Sequence, residues 1–202
     1  MLSVGITGGI GSGKSIVCEV FRIMKIPVYV ADERARSLME TYGPLREKLR
    51  KILGEDVFKP DGKPNRAAIA SRVFNDAHLL DKLNAAVHPV VMEEFRKWSD
   101  ARQEAPYVLL ESAILLESGL RKDVDVLIMV EAPEPLRVER IRKRDNRNEE
   151  EIKSIMARQW SSGQKSPLID YHIINDDKEA VIPQILRIDN LLRRKSESNH
   201  TG

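Results

Sequence analysis

Lys14 and Ser15 close the run Gly8-Gly9-Ile10-Gly11-Ser12-Gly13-Lys14-Ser15, which has the form Gly-x-x-x-x-Gly-Lys-Ser. The chemistry that suits this spacing is phosphate binding. Glycines let successive backbone N–H groups turn inward as an anion-binding nest, and a helix that starts where the run ends aims its positive dipole end at the same phosphates. A lysine at position 14 reaches the β- and γ-phosphates of a nucleotide, and the hydroxyl of Ser15 ligates Mg²⁺. The flanks fit, since Leu2 to Thr7 form an apolar strand-like run and Ile16, Val17, Val20, Phe21 and Met24 follow at helical spacing. A glycine turn that only packs a strand against a helix does not explain the Lys-Ser pair.

Four further sets of residues carry charge that could serve chemistry. Asp32 follows the run Ile26-Pro27-Val28-Tyr29-Val30-Ala31, so it either faces the γ-phosphate from the end of a strand or caps a helix starting at Glu33. Glu111 ends the apolar run Tyr107 to Leu110 and is either a carboxylate near Mg²⁺ or an ordinary strand-end acid. His88 stands before Pro89, where a phosphate contact and a structural histidine are both open, with the structural role favoured. Arg137, Arg140, Arg142, Arg144 and Arg147 crowd one segment, and Arg137, Arg140 and Arg144 share a helix face. Such a face is usually solvated, but beside a phosphate loop at least one of these arginines is expected to close over the phosphates.

The elements that must position these groups alternate. Strands are predicted near Leu2–Thr7, Ile26–Ala31, Tyr107–Glu111, Asp125–Val130 and Tyr171–Asn175, with helices between them. That order predicts an α/β fold, a doubly wound parallel five-stranded sheet of the P-loop nucleoside-triphosphate hydrolase type. From about residue 33 to 105 the strand signal vanishes and apolar residues recur at helical spacing, so a helical insertion is expected there. The pair His88-Pro89 is expected to break that pattern, because proline lacks a donor and constrains its predecessor. Residues 193–202 are polar and are expected to be a disordered tail.

Composition bounds the partners. The 202 residues suit one domain with a modest insertion, and 33 Lys and Arg against 31 Asp and Glu give no field for nucleic acid or an anionic membrane. The one cysteine, Cys18, cannot form an internal disulfide and is expected to be a small buried residue in a reducing compartment. No basic leader precedes an apolar stretch and no run approaches a membrane span, which makes a cytoplasmic setting the expectation. Oligomeric state is not encoded in any of these features.

Taken in order, Thr7 to Ser15, Ala31-Asp32 with Ala35-Arg36, Leu83-Asn84 through His88-Pro89, Leu115 to Leu120, Arg140, Arg144-Asp145, Gln159 and Asp170 through Asn175 resemble the dephospho-CoA kinase family. The resemblance covers nearly the whole chain. It implies transfer of the ATP γ-phosphate to the ribose 3′-hydroxyl of dephospho-CoA, the last step of coenzyme A synthesis. It also implies a nucleotide-binding core (about 1–32, 106–136 and 166–192), a helical CoA-side insertion (about 33–105) and an arginine lid (about 137–165). On that pattern Asp32 is the general base and Lys14 and Arg140 assist catalysis. ATP lies on Gly9 and on Gly11, Ser12, Gly13, Lys14, Ser15 and Ile16, with Arg140, Arg144 and Asn175. The acceptor meets Asp32, Arg36, His88 and Glu111. ATP and Mg²⁺ are the cofactors, Ser15 and Glu111 the metal candidates, and dephospho-CoA the small-molecule partner. The chain departs from the pattern at Ile16 (usually Thr), Val30 (usually the first acid of Asp-Ala-Asp), Glu111 (usually Asp), Ala113 (usually Pro), Ile155 (often Arg) and Ile169 (usually Ala).

Other classes fit less well. A regulatory GTP switch should carry Asn-Lys-x-Asp and Asp-x-x-Gly, and neither occurs in the sequence. A nucleoside monophosphate kinase, or another small-metabolite P-loop kinase, shares the loop and the arginines and is the closest alternative.

Overall fold

The structure, a computed structural model, describes residues 1–74, 76–146, 148–157 and 159–200; Arg147 of the arginine series lies outside the described residues. Five strands form one sheet: β1 (Leu2–Thr7), β2 (Val28–Val30), β3 (Tyr107–Glu111), β4 (Val126–Glu131) and β5 (Tyr171–Ile174). Their order is β2-β3-β1-β4-β5 and every pairing is parallel. Strands β3 and β4 are near-continuous Val, Leu and Ile runs, as strands covered on both faces must be. The chain leaving β1 goes to one edge strand and the chain leaving β4 to the other. The crevice outside their adjacent carboxyl ends is therefore the point of the sheet where ligands bind.

The chain divides into two compact units, Met1–Val30 with Ser99–Gly202, and Ala31–Trp98. In the first, α1 (Lys14–Ile23) buries Lys14, Val17, Cys18 and Phe21, one face at three- and four-residue spacing. Phe21 meets Tyr107 edge to face at 6.4 Å. The connection between β4 and β5 carries α6 (Glu134–Asp145), α7 (Glu149–Ala157) and the short α8 (Ser162–Lys165). The last helix, α9 (Val181–His200), sets Ile185, Ile188 and Leu192 into the core, each worth about 1.5–3 kcal/mol of apolar burial.

That helix corrects the expectation of a disordered tail: residues 193–200 are its last turns. Two anchors far away in the chain hold the helix, one at Asp189 just before that stretch and one at Ser196 within it. The Tyr107 hydroxyl donates to Asp189 Oδ1 at 2.6 Å, and the hydroxyl of buried Ser196 donates to the carbonyl of Pro106. Tertiary bonds of this kind hold a helix that its own apolar density does not announce.

The second unit is helical, with α2 (Ala31–Thr41), α3 (Gly43–Leu53), α4 (Arg66–Phe74) and most of α5 (Ala77–Asp100). Leu45, Leu49 and Leu53 are buried at four-residue spacing on α3. The expected break at His88-Pro89 does not occur, for α5 continues through Pro89. A proline removes one ladder bond, whereas Ala86, Val87, Val91, Met92 and Phe95 are all buried on the flanking turns and hold the helix in register. Among the described residues no helix is long and apolar enough to cross a membrane.

Candidate active site

The phosphate loop leaves β1 at Thr7 and enters α1 at Lys14. Gly13, immediately before the helix, has φ 93°, a left-handed conformation that side chains rarely adopt. A Cβ there would also collide with the side-chain amide of Asn175. That amide is a brace, since Asn175 Nδ2 donates to Ser12 O at 2.9 Å and its backbone N–H donates to Glu131 O at 2.8 Å. Lys14 is buried, and its ammonium donates to Gly8 O at 2.8 Å and Gly9 O at 3.4 Å. Ser15 and Ile16 are exposed on the first turn of α1, and the hydroxyl of buried Ser12 has no hydrogen-bond partner among the described residues.

The arginines on α6 differ sharply. Arg140 Nη1 donates to Asn175 O at 3.1 Å, and Nη2 reaches Asn175 Oδ1 at 3.4 Å and Asp177 Oδ1 at 2.5 Å. Arg144 is exposed and forks onto its neighbour Asp145, with bonds of 2.7 and 2.9 Å. Arg137 instead lies against the loop: a Cβ on Gly9 would stand 2.5 Å from its Nη1 and 2.7 Å from its Cζ. Burial pulls its guanidinium below the usual arginine range. Arg137, Gly9, Lys153, Gln159, Trp160 and Lys165 are among the residues lining a cleft of about 620 Å³.

Gln159, seen in the sequence only as a family match, joins the loop to the segment before α8. Its Oε1 accepts the Ile10 N–H at 2.9 Å and its Nε2 donates to Ala113 O at 3.4 Å. The acceptor at position 113 is a main-chain carbonyl, so alanine in place of the usual proline leaves it intact. Nearby, Glu117 accepts the Trp160 N–H at 2.9 Å and holds the buried Lys165 ammonium at 2.8 Å. Apart from the family match of Gln159 and of the Leu115 to Leu120 stretch, the sequence gives no signal of this network, because the partners lie 40 to 150 residues apart.

Glu111 is buried at the end of β3, in register with Ile6 on β1 and Val30 on β2. Its charge adds to the burial that pushes the Cys18 thiol up to about 12, which fits the inert packing role expected of that cysteine. Asp32, Arg36 and His88 belong to the helical unit. The strand stops at Val30 and α2 starts at Ala31, so Asp32 is neither a strand-end residue nor the cap before Glu33 but a first-turn acid, where the helix dipole favours it. Arg36 follows one turn later and is exposed. His88 is half-buried; desolvation holds its pKa below the usual value, and the opposing pull comes from Asp32, so these two side chains feel each other.

A family model described as dephospho-CoA kinase matches residues 2–180. The chain belongs to the dephospho-CoA kinase family. A dephospho-CoA kinase of Bacteroides fragilis is 40% identical over 194 residues, covering 96% of this chain and 94% of that protein. Among solved structures, TT1252 from Thermus thermophilus superposes with a TM-score of 0.80 at 29% identity, covering 96% of this chain and 97% of that one. A dephospho-CoA kinase from Campylobacter jejuni shares the fold, with a TM-score of 0.67, 20% identity and 98% of both chains covered. Membership of the dephospho-CoA kinase family agrees with the parallel sheet and phosphate loop described above.

Proposed function

We propose that this chain transfers the γ-phosphoryl group of ATP to the ribose 3′-hydroxyl of dephospho-CoA, giving coenzyme A and ADP in the cytoplasm. Family membership over almost the whole chain, joined to an intact phosphate loop, carries this reading. The 3′-oxygen attacks the γ-phosphorus, the bond from that phosphorus to the bridging oxygen breaks with its electron pair going to ADP, and the hydroxyl proton passes to Asp32. Lys14 offsets the charge that shifts toward the β–γ bridge. ATP lies on Gly9 and Gly11 to Ile16, with Arg140 and Asn175 bracing the loop and Arg144 on an arginine-rich lid spanning about 137–165. The helical unit receives the acceptor through Arg36 and His88 as well as Asp32.

The donor set suits Mg²⁺. That ion keeps several waters and takes one or two protein oxygens beside substrate phosphates, and the exposed Ser15 hydroxyl and the Glu111 carboxylate supply that number. When bound, it would neutralise charge on the β- and γ-phosphates.

A steady-state assay with ATP and Mg²⁺, offering dephospho-CoA, AMP, CMP, dTMP and pantothenate in parallel, tests the acceptor. Turnover with dephospho-CoA alone is expected. Transfer to a nucleoside monophosphate with none to dephospho-CoA would defeat the reading.

A further inference from the structure

We propose that Arg137 is a catalytic residue of this chain, the arginine that contacts the transferring γ-phosphoryl group, with Arg140 and Arg144 holding the surrounding structure. The inference rests on the phosphoryl-transfer reading above and concerns how these residues divide that work.

Three arginines share one face of α6, and only Arg137 has its whole fork uncommitted among the described residues. Arg140 is committed to Asn175 and Asp177, and through Asn175 to the carbonyl of Ser12. Arg144 spends its fork on Asp145 at the exposed end of the helix. Arg137 makes no side-chain hydrogen bond or ion pair with any described residue, and its Nε is buried without a partner. A guanidinium carries five donors in a planar fork, and a partly desolvated charge with none of them used is costly unless an anion comes to it. Burial accordingly weighs against its charged form.

Position names the anion. The guanidinium rests on Gly9, the residue whose carbonyl lies 3.4 Å from the Lys14 ammonium. Two cations therefore flank one glycine of the phosphate loop, and the missing Cβ of Gly9 is what lets the second approach. Arg137 also lines the cleft beside that glycine, so a phosphoryl group held by the loop and by Lys14 would have the fork beside it. In the transfer the 3′-oxygen bonds to the γ-phosphorus as the bond to the bridging oxygen breaks, and a bidentate arginine stabilises the equatorial oxygens without itself giving or taking a proton.

The test compares Arg137→Ala, Arg137→Gln and, as a surface control, Arg142→Ala, each checked for folding by its thermal transition. Both Arg137 variants are expected to lose about a hundredfold or more in turnover of dephospho-CoA while the Kd for ATP moves less than about threefold, since the contact is made in the reacting state. Added guanidinium ion should restore part of the activity of Arg137→Ala and none of Lys14→Met, a response that a merely structural arginine would not give. Near wild-type turnover in either folded Arg137 variant overturns the proposal and leaves the kinase reading standing. A wild-type protein that phosphorylates some other acceptor defeats the dephospho-CoA reading instead, and the same variants then test Arg137 with that acceptor.

Discussion

The phosphate loop and the exposed faces of the helical unit hold their polar side chains in different ways. Around the phosphate loop, polar side chains are tied to main-chain groups far off in sequence: Asn175 to Ser12, Gln159 to Ile10, Arg140 to Asn175. On the exposed faces of the helical unit, charges pair with each other, as in Arg34 with Glu94 at 2.5 Å, Arg66 with Glu40 at 2.8 Å and Lys97 with Glu93 at 2.7 Å. Bonds of the first kind fix a backbone before any ligand arrives. Pairs of the second kind are screened by water and contribute little to rigidity. Preorganisation is therefore expected at the loop that meets the donor nucleotide, whereas Asp32, proposed above as the base, sits on an exposed helix turn with His88 as its electrostatic neighbour.

The largest loss is expected at Lys14. Its charge is held in place by the loop itself, and losing a preorganised contact of this kind costs roughly 2.7–4 kcal/mol. Lys14→Met should therefore fold normally and turn over at least about a hundredfold more slowly. A folded variant with near wild-type turnover would end the phosphate-loop assignment. On the helical side, Asp32→Asn keeps the shape and loses the carboxylate proposed as the base, so turnover should fall by roughly a hundredfold with binding of both substrates retained. Full activity in that variant would remove Asp32 from the chemistry.

Asn175→Ala probes the bracing rather than the reaction. It strips the partner from Ser12 O and loosens Arg140, so a loss of about 1–3 kcal/mol in stability is expected together with weaker ATP binding. Unchanged ATP affinity would mean that the loop holds its form without this residue. The smallest effect is at His88. Because burial lowers its pKa from the usual 6.5, the unfolded chain takes up a proton that the folded chain resists. The stabilising contribution of neutral His88 is thus complete above that value and is lost as pH falls from it through the folded-state pKa. Denaturant melts between pH 5 and pH 8 should show the wild type weakening on acidification more steeply than His88→Gln, and parallel curves would contradict the half-buried, neutral histidine.

Much of this was legible in the residues, and the parts that were not share a cause. The phosphate loop and the five strands declare themselves locally, by glycine spacing and by apolar β-branched runs bounded by turns. The helix through Pro89 and the helix beyond Arg193 were missed because each is held by burial or by hydrogen bonds to distant segments, which outweigh a local breaker and a polar composition. The arginines illustrate the same limit at the site. Spacing put Arg137, Arg140 and Arg144 on one face, but only Gly9, Asn175 and Asp145, each a different environment, distinguish what the three do.

The attachment point of the transferred phosphate decides whether the ribose 3′-hydroxyl is the acceptor. ATP carrying a labelled γ-phosphate is incubated with the enzyme, Mg²⁺ and dephospho-CoA, and the attachment point in the product is assigned by phosphorus–proton coupling. All the label is expected in a monoester on the ribose 3′-oxygen. Label found on the 2′-oxygen or at the pyrophosphate, or released as inorganic phosphate with the acceptor unchanged, would contradict it.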